Sequence, residues 1–263
     1  MKKEYSRFED STVFEGIVSV RTLIEIMTEG GISNDRKIQK LLISRDRAEK
    51  EKKELSWLGH RAEELGFEIE LTDREVIDTV AVGNTHGGMI AYCTERSLNA
   101  PSEENIKENG FYVMLEGIED PYNFGYCLRS LYAAGVDGIL VGPRNWLGAA
   151  GVVCRASAGA SELFEIGIGD TEDIVDLFHE KGYTVYAADK TEDAVPVYDT
   201  EVRFPVLLVV GGEKRGITRA VLEKCDKVIS LDYGRRFGAA LSAASASSIL
   251  AFEIYRQNRG EVK

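Results

Sequence analysis

The 263-residue sequence has no apolar run approaching the roughly 18 residues that a membrane-spanning helix needs. Its opening stretch, Met1 to Asp10, is polar and charged where a secretion signal needs apolar residues, so a cytoplasmic location without membrane contact is expected. Proline is scarce, at 5 residues, while 44 % of the chain is hydrophobic; this excludes a disordered composition and supplies material for real cores. The four cysteines, Cys93, Cys127, Cys154 and Cys225, form no C-x-x-C pair, so neither a zinc site nor a disulfide framework is signalled. Three histidines are too few to suggest a multi-histidine metal site, and no metal is expected. Basic charge is the most conspicuous shortage. With 32 Lys and Arg against 44 Asp and Glu the formal charge is −12. The deficit is even, since residues 1–110 and 111–263 each hold 16 basic and 22 acidic residues. Nucleic-acid binding draws its affinity from phosphate neutralisation, so any such surface here must be a local patch.

The length suits two domains. Up to about Ser97 the pattern is that of a small α/β unit. Apolar residues recur at helical spacing from Ile17 to Met27, followed by Gly30-Gly31, and Lys40 to Ser44 is a short strand pattern. A charged helix from Asp46 to Leu65, a strand Phe67 to Leu71, a helix Arg74 to Ala81 and a strand Met89 to Cys93 come next. Residues 98–109 are polar and aperiodic, and form a linker between domains at 1–97 and 110–263. Beyond it strands alternate with helices: strands at 111–115, 138–141, 164–166, 183–187, 205–210 and 227–231, and helices near 125–134, 149–157, 171–181, 218–224 and 238–257. Such alternation predicts an α/β fold with a mostly parallel sheet and helices on both faces.

Three segments of the second half carry features that packing alone does not require. Glu119 to Gly125 follows a strand and opens a helix, with Arg129 about one turn inside; ligands of open α/β sheets bind at the carboxyl ends of strands. An Asn-capped helix start with Arg129 on a solvated face explains the same pattern. Val209 to Gly216 (VVGGEKRG) places two glycines, a carboxylate and two cations after an apolar strand. The glycines allow close backbone approach to a ligand, although a plain β–α turn is the alternative. Neither G-x-x-x-x-G-K-[ST] nor G-x-G-x-x-G is present. Ser230 to Leu241 enters a helix that begins with small residues, Ser242 to Ser248, suited to close approach of a ligand or simply to tight burial. Arg144, Lys214-Arg215 and Arg235-Arg236 form local basic spots on loops of the same expected sheet end.

In this order the segments resemble the motifs of the SpoU/TrmH family of RNA ribose 2′-O-methyltransferases. Asp120-Pro121-x-Asn123-x-Gly125-x-x-x-Arg129-Ser130 is similar to the first motif, Gly211-Gly212-Glu213-x-x-Gly216 to the second, and Ser230-Leu231 through Leu241 and Glu253 to the third. Arg155-x-Ser157-x-Gly159-Ala160 is similar to a stretch between the first two, and the resemblance spans about 110–258. The first half looks like the family's substrate-recognition domain, a ribosomal-protein-like α/β unit, on Glu15-Gly16 and Thr85-His86-Gly87-Gly88. The resemblance implies a trefoil knot, a homodimer, and S-adenosylmethionine as cofactor, held around Gly211, Gly212, Leu231, Ala240 and Leu241. It implies catalytic roles for Asn123, Arg129 and Glu213, and RNA (rRNA or tRNA) as partner. Where the family usually has Ser-Leu-Asn this chain reads Ala240-Leu241-Ser242, and Ser242 takes over only part of the hydrogen bonding of an amide. Asp232 stands in place of the usual proline, and the loop before Leu241 is about one residue longer.

The expected activity is therefore transfer of a methyl group to a ribose 2′-hydroxyl of structured RNA, with Arg129 acting on the hydroxyl and Glu213 positioning Arg129. RNA contact is expected through Arg144, Arg155, Lys214, Arg215, Arg235 and Arg236. His60 and His86 lie in the first half and are left outside the site. Two readings compete: a SpoU-like RNA-binding protein with impaired catalysis, and a Rossmann-type small-molecule enzyme. The missing G-x-G-x-x-G counts against the second.

Overall fold

In a computed structural model of the chain, residues 12–29, 34–83, 85–143 and 148–260 are described. They divide into two compact units. The first comprises 1–97 together with 145–163, and the second 98–144 together with 164–263. Residues 148–163, which the sequence assigns to the second domain, group instead with the first unit.

The first unit is a four-stranded sheet in the order β1 (Val13–Glu15), β4 (Met89–Cys93), β2 (Ile38–Ser44), β3 (Glu68–Thr72). β4 is antiparallel to both of its neighbours, and β2 is parallel to β3. Helix α1 (Gly16–Glu29) buries Val20, Leu23 and Ile24 at helical spacing against Phe14, Leu41, Ile43 and Met89. The charged helix expected over 46–65 is two helices, α2 (Arg45–Lys50) and α3 (Lys52–Leu65), broken at Glu51, whose ψ of 49° leaves the helical region. The Arg47 guanidinium donates to Glu54 across this break, at 2.9 and 2.6 Å. α3 ends on Gly66 at φ 77°, a left-handed stop that glycine adopts without a side-chain clash. Helix α4 (Arg74–Val80) completes the first run.

The returning segment holds α6 (Ala150–Ala156) and α7 (Ala160–Leu163). Gly151 lies so close to β1 that an added Cβ would meet the Val13 carbonyl oxygen at 1.9 Å, and Cys154 is part of the first core. Glu162 meets Arg36 in a fully buried ion pair at 3.0 Å, with Asn34 Nδ2 donating to the same carboxylate at 3.0 Å. Burial of paired polar groups at this separation in sequence fixes where the segment lies.

The second unit is a seven-stranded sheet, wholly parallel, in the order β7 (Glu165–Ile168), β6 (Gly138–Val141), β5 (Phe111–Glu116), β10 (Val206–Gly211), β8 (Thr184–Ala188), β11 (Lys227–Ser230), β9 (Val195–Pro196). Alternate side chains feed opposite faces. Tyr112, Met114, Leu207 and Val209 join Ile174, Val175 and Phe178 of α8 (Thr171–Glu180) and Val221 of α9 (Arg219–Lys224) in one core. On the other face α10 (Ala243–Gln257) packs on β10 and on α5 (Pro121–Ala133). No described helix is long and apolar enough to cross a membrane. The order is not sequential: β5, β6 and β7 run to one edge, after which β10 enters between β5 and β8, and β11 between β8 and β9. Three neighbouring strands, β10, β8 and β11, thus bring three loops to one end of the sheet.

Candidate active site

At that end a cleft of about 220 Å3 opens over the carboxyl ends of β8, β10 and β11. Val210, Gly211, Gly212 and Glu213 form one wall, and Ser230, Leu231 and Tyr233 another. Ala240, Leu241, Ala243, Ala246 and Leu250, at and beyond the start of α10, close it. All five residues expected to hold a cofactor, Gly211, Gly212, Leu231, Ala240 and Leu241, therefore line one cavity.

The two glycines have a different physical reason from the one expected. A Cβ on Gly211 would lie 2.4 Å from the carbonyl carbon of Gly216, and one on Gly212 only 2.1 Å from the Gly117 carbonyl oxygen. They let the protein's own backbone close up, as the Gly212 N–H donates to the Glu116 carbonyl at 2.7 Å and the Gly216 N–H to the Gly212 carbonyl at 2.8 Å. Glu116, buried at the end of β5, fixes the far side of the turn. Its carboxylate accepts from the Thr218 amide at 3.1 Å and from the Thr218 hydroxyl at 2.8 Å, holding the start of α9.

The first motif is capped by Asp120, not by Asn123. Asp120 accepts from the Asn123 amide N–H at 2.8 Å and Pro121 occupies the first turn, so α5 starts at Pro121, four residues before the expected Gly125. Asn123 is thereby relieved of capping, and its Nδ2 donates to Glu213 Oε1 at 3.1 Å. Glu213 was expected to position Arg129, but Asn123 is the partner it takes. Arg129 is exposed and makes no hydrogen bond or ion pair among the described residues, and it is not part of the cleft lining. Cys127, one turn beyond Asn123, is buried; desolvation pushes its thiol up to about 11, against a smaller opposite pull from a Ser247 hydrogen bond.

Ser242 caps α10, its Oγ accepting from the Ser245 amide at 3.2 Å. The helix accordingly begins at Ala243, five residues later than expected, and Gly238 to Leu241 stay irregular at the cleft mouth. Ser caps a helix as well as Asn does, so this local role survives the departure from the family's Asn.

The basic residues divide. Arg235 and Arg236 are exposed beside the cleft and make no hydrogen bond or ion pair among the described residues, as is also true of Arg215. Lys214 Nζ lies 3.2 Å from Glu119 Oε2 but is 80 % exposed, so that pair is weak. Arg155, expected on the RNA, is internal to the first unit: it pairs with buried Glu15 and donates to Thr85 Oγ1 at 3.1 Å. Glu15 also accepts from the Val82 and Gly83 amides, so Arg155 neutralises a buried carboxylate and is not a free phosphate contact. Arg144 lies outside the described residues.

One cleft residue, Lys190, lay outside the segments singled out in the sequence, and another, Tyr233, lay inside the third. Lys190, after β8, holds Nζ 4.8 Å from the centroid of the Tyr233 ring, and the Tyr233 hydroxyl accepts from the Leu241 amide at 3.1 Å. The available signal was the position of Asp189-Lys190 directly after a strand, at the same sheet end as the other two loops.

Residues 110–252 match the family model described as SpoU rRNA Methylase family, and residues 29–98 match the one described as RNA 2′-O ribose methyltransferase substrate binding. Over 217 residues the chain is 30 % identical to the 23S rRNA (guanosine-2′-O-)-methyltransferase RlmB of Shewanella oneidensis, covering 80 % of this chain and 87 % of that protein. A solved RNA 2′-O ribose methyltransferase has a similar fold, with a TM-score of 0.75 at 20 % identity over 94 % of this chain and 88 % of the other. So does the SpoU methyltransferase AviRb of Streptomyces viridochromogenes, solved with the cofactor AdoMet, at a TM-score of 0.73 and 18 % identity over 94 % and 90 %.

Proposed function

The chain belongs to the SpoU rRNA methylase family, and from that membership we propose that it methylates a ribose 2′-hydroxyl of structured RNA, with S-adenosylmethionine as methyl donor. The observation that carries the reading is the convergence of the second and third motif loops on one cleft, to which Asn123 ties the first motif through its hydrogen bond to Glu213. Ribosomal RNA is the preferred substrate class, following the RlmB relative.

The cleft suits the donor. Apart from Asp189, Lys190, Glu213 and Tyr233, its walls are short or apolar side chains and close-packed backbone, which favour a flat purine, and small Ala243 and Ala246 leave room beside the helix start. Gly211, Gly212, Leu231, Ala240 and Leu241 would hold it. When bound, the donor supplies a sulfonium-activated methyl group. The chain's own part is to place the hydroxyl in line and manage its proton. Arg129 donates hydrogen bonds that orient the ribose oxygen; a guanidinium with a pKa above about 12 does not take the proton. Glu213, with Oε1 engaged by Asn123, keeps its second oxygen to accept it.

The homodimer belongs to the same proposal. Tyr122 and Tyr126 on α5 and Ile249 and Phe252 on α10 are 44, 49, 38 and 46 % exposed, at spacings that align each pair on one helix face. α5 and α10 pack together, so the two faces adjoin. Pairing with a second copy buries an apolar surface of this kind. Arg129, three residues beyond Tyr126, shares the face, so pairing brings it to the interface. The trefoil knot is likewise inferred, supported by the insertion of β10 and β11 between earlier strands.

Mapping of 2′-O-methyl positions in total RNA, with and without the gene, tests the activity, and calorimetry with S-adenosylmethionine tests the cleft. A methylation map unchanged by loss of the gene, with no heat of cofactor binding, would overturn the reading.

A further inference from the structure

The loop 231–242 between β11 and α10 is fixed at its root and bare at its tip. At the root, the Tyr233 hydroxyl accepts from the Leu241 amide at 3.1 Å and Lys190 Nζ stands 4.8 Å from the Tyr233 ring centroid. At the tip, Phe237 is 54 % exposed, more than any other exposed large apolar side chain described. Its ring touches the protein through Tyr233, with centroids 6.2 Å apart and planes tilted by 52°. Arg235 and Arg236 precede it, exposed and making no hydrogen bond or ion pair among the described residues, in a chain whose formal charge is −12.

An aromatic face beside two unneutralised cations has the chemistry of a single-strand nucleic-acid contact. Bases stack on the ring while the cations take the phosphates, and every base offers a π-face. A tip held at its root has fewer conformations to lose, so less entropy is lost on binding. Resting on the proposed RNA methylation, we propose that Phe237 is a stacking platform for an unpaired base of the RNA substrate, with Arg235 and Arg236 on the adjoining phosphates and Tyr233 and Lys190 holding the platform beside the cleft. The substrate is then an RNA whose modified region is looped or splayed, not a continuous duplex. The charge of the tip favours this occupant over a second copy of an acidic chain.

The test uses the full chain, fluorescein-labelled dodeca-adenylate as binding probe, and bulk RNA from cells lacking the gene as methyl acceptor. Phe237→Ala should weaken dodeca-adenylate binding and raise KM for bulk RNA about tenfold. It should leave kcat, the Kd for S-adenosylmethionine and the solution mass unchanged, and Phe237→Trp should restore binding. The double variant Arg235→Gln/Arg236→Gln should lower the slope of log affinity against log salt by about 1.4, at ~0.7 per phosphate on a single strand. Wild-type affinity in Phe237→Ala, failure of Trp to rescue, or halving of the mass would each overturn the platform. The dodeca-adenylate measurement needs no cofactor. Absence of methyl transfer by the unaltered chain would therefore count against the methyltransferase reading alone.

Discussion

The Asn123 side-chain amide donates to the Glu213 carboxylate at 3.1 Å, joining two residues 90 positions apart that stand on different loops at one end of a parallel sheet. The link forms because Asp120 takes over the capping of α5, leaving the Asn123 amide free to reach across.

Asn123→Asp would place two carboxylates at that distance and raise the pKa of one of them, since like charges this close resist joint ionisation. Methyl transfer near pH 8 is expected to fall, and the deficit to shrink as the pH is lowered, where a shared proton restores the bond. The ratio of variant to wild-type kcat as a function of pH is the measurement, and a flat ratio counts against the link.

If Arg129 orients the reacting hydroxyl as proposed, Arg129→Ala is expected to reduce methyl transfer on the order of 10²-fold or more, while the Kd for S-adenosylmethionine stays within about twofold because the residue does not line the cleft. Single-turnover transfer with calorimetry in parallel separates the two quantities. Turnover retained by this variant would make Arg129 an ordinary surface residue.

Gly212→Ala sets a Cβ against a backbone oxygen at 2.1 Å, which no rotamer change relieves. We expect about 1–3 kcal/mol of lost stability from forced backbone movement, by urea unfolding, together with weakened cofactor binding as the turn leaves its place.

Arg36→Met strands Glu162, whose side chain is 4 % exposed, without its ion partner. Breaking a buried pair from one side costs about 3–5 kcal/mol, whereas the double variant Arg36→Met/Glu162→Leu should recover much of that in urea titration.

Burial holds the Cys127 thiol at about 11 and the Cys154 and Cys225 thiols at about 12, against an ordinary value of 9.0. These groups keep their protons in the folded chain while the unfolded chain ionises. Their contribution to stability is thus fully present below about pH 9 and is lost as the pH rises from there toward 12. Iodoacetamide at pH 8 should label the native protein slowly and the urea-unfolded protein fast; rapid native labelling would contradict the burial.

Strands such as Met89–Cys93 and Gly138–Val141 were legible to the residue, because short apolar runs between turn residues have few other uses. Strands of three and two residues, Val13–Glu15 and Val195–Pro196, were not, since neither is long enough to show a period. Two of the three loops that line the cleft, those after β10 and β11, were legible through their motifs, and the third, after β8, was not. Arg155 was misread because its partner, Glu15, lies 140 positions away, and only packing reveals the buried carboxylate that it neutralises.

By itself the sequence determined the alternation that makes a parallel sheet, the family, and the three loops that follow strands, because periodicity and short motifs are local. The tertiary structure alone decided what meets what. It set β10 and β11 beside β8 so that the loops converge, drew 148–163 into the first unit through the Arg36–Glu162 pair, and gave Glu213 to Asn123 instead of Arg129. These are contacts between residues far apart in the chain, set by strand order and by the cost of leaving buried polar groups unpaired, and neither is written in any local pattern.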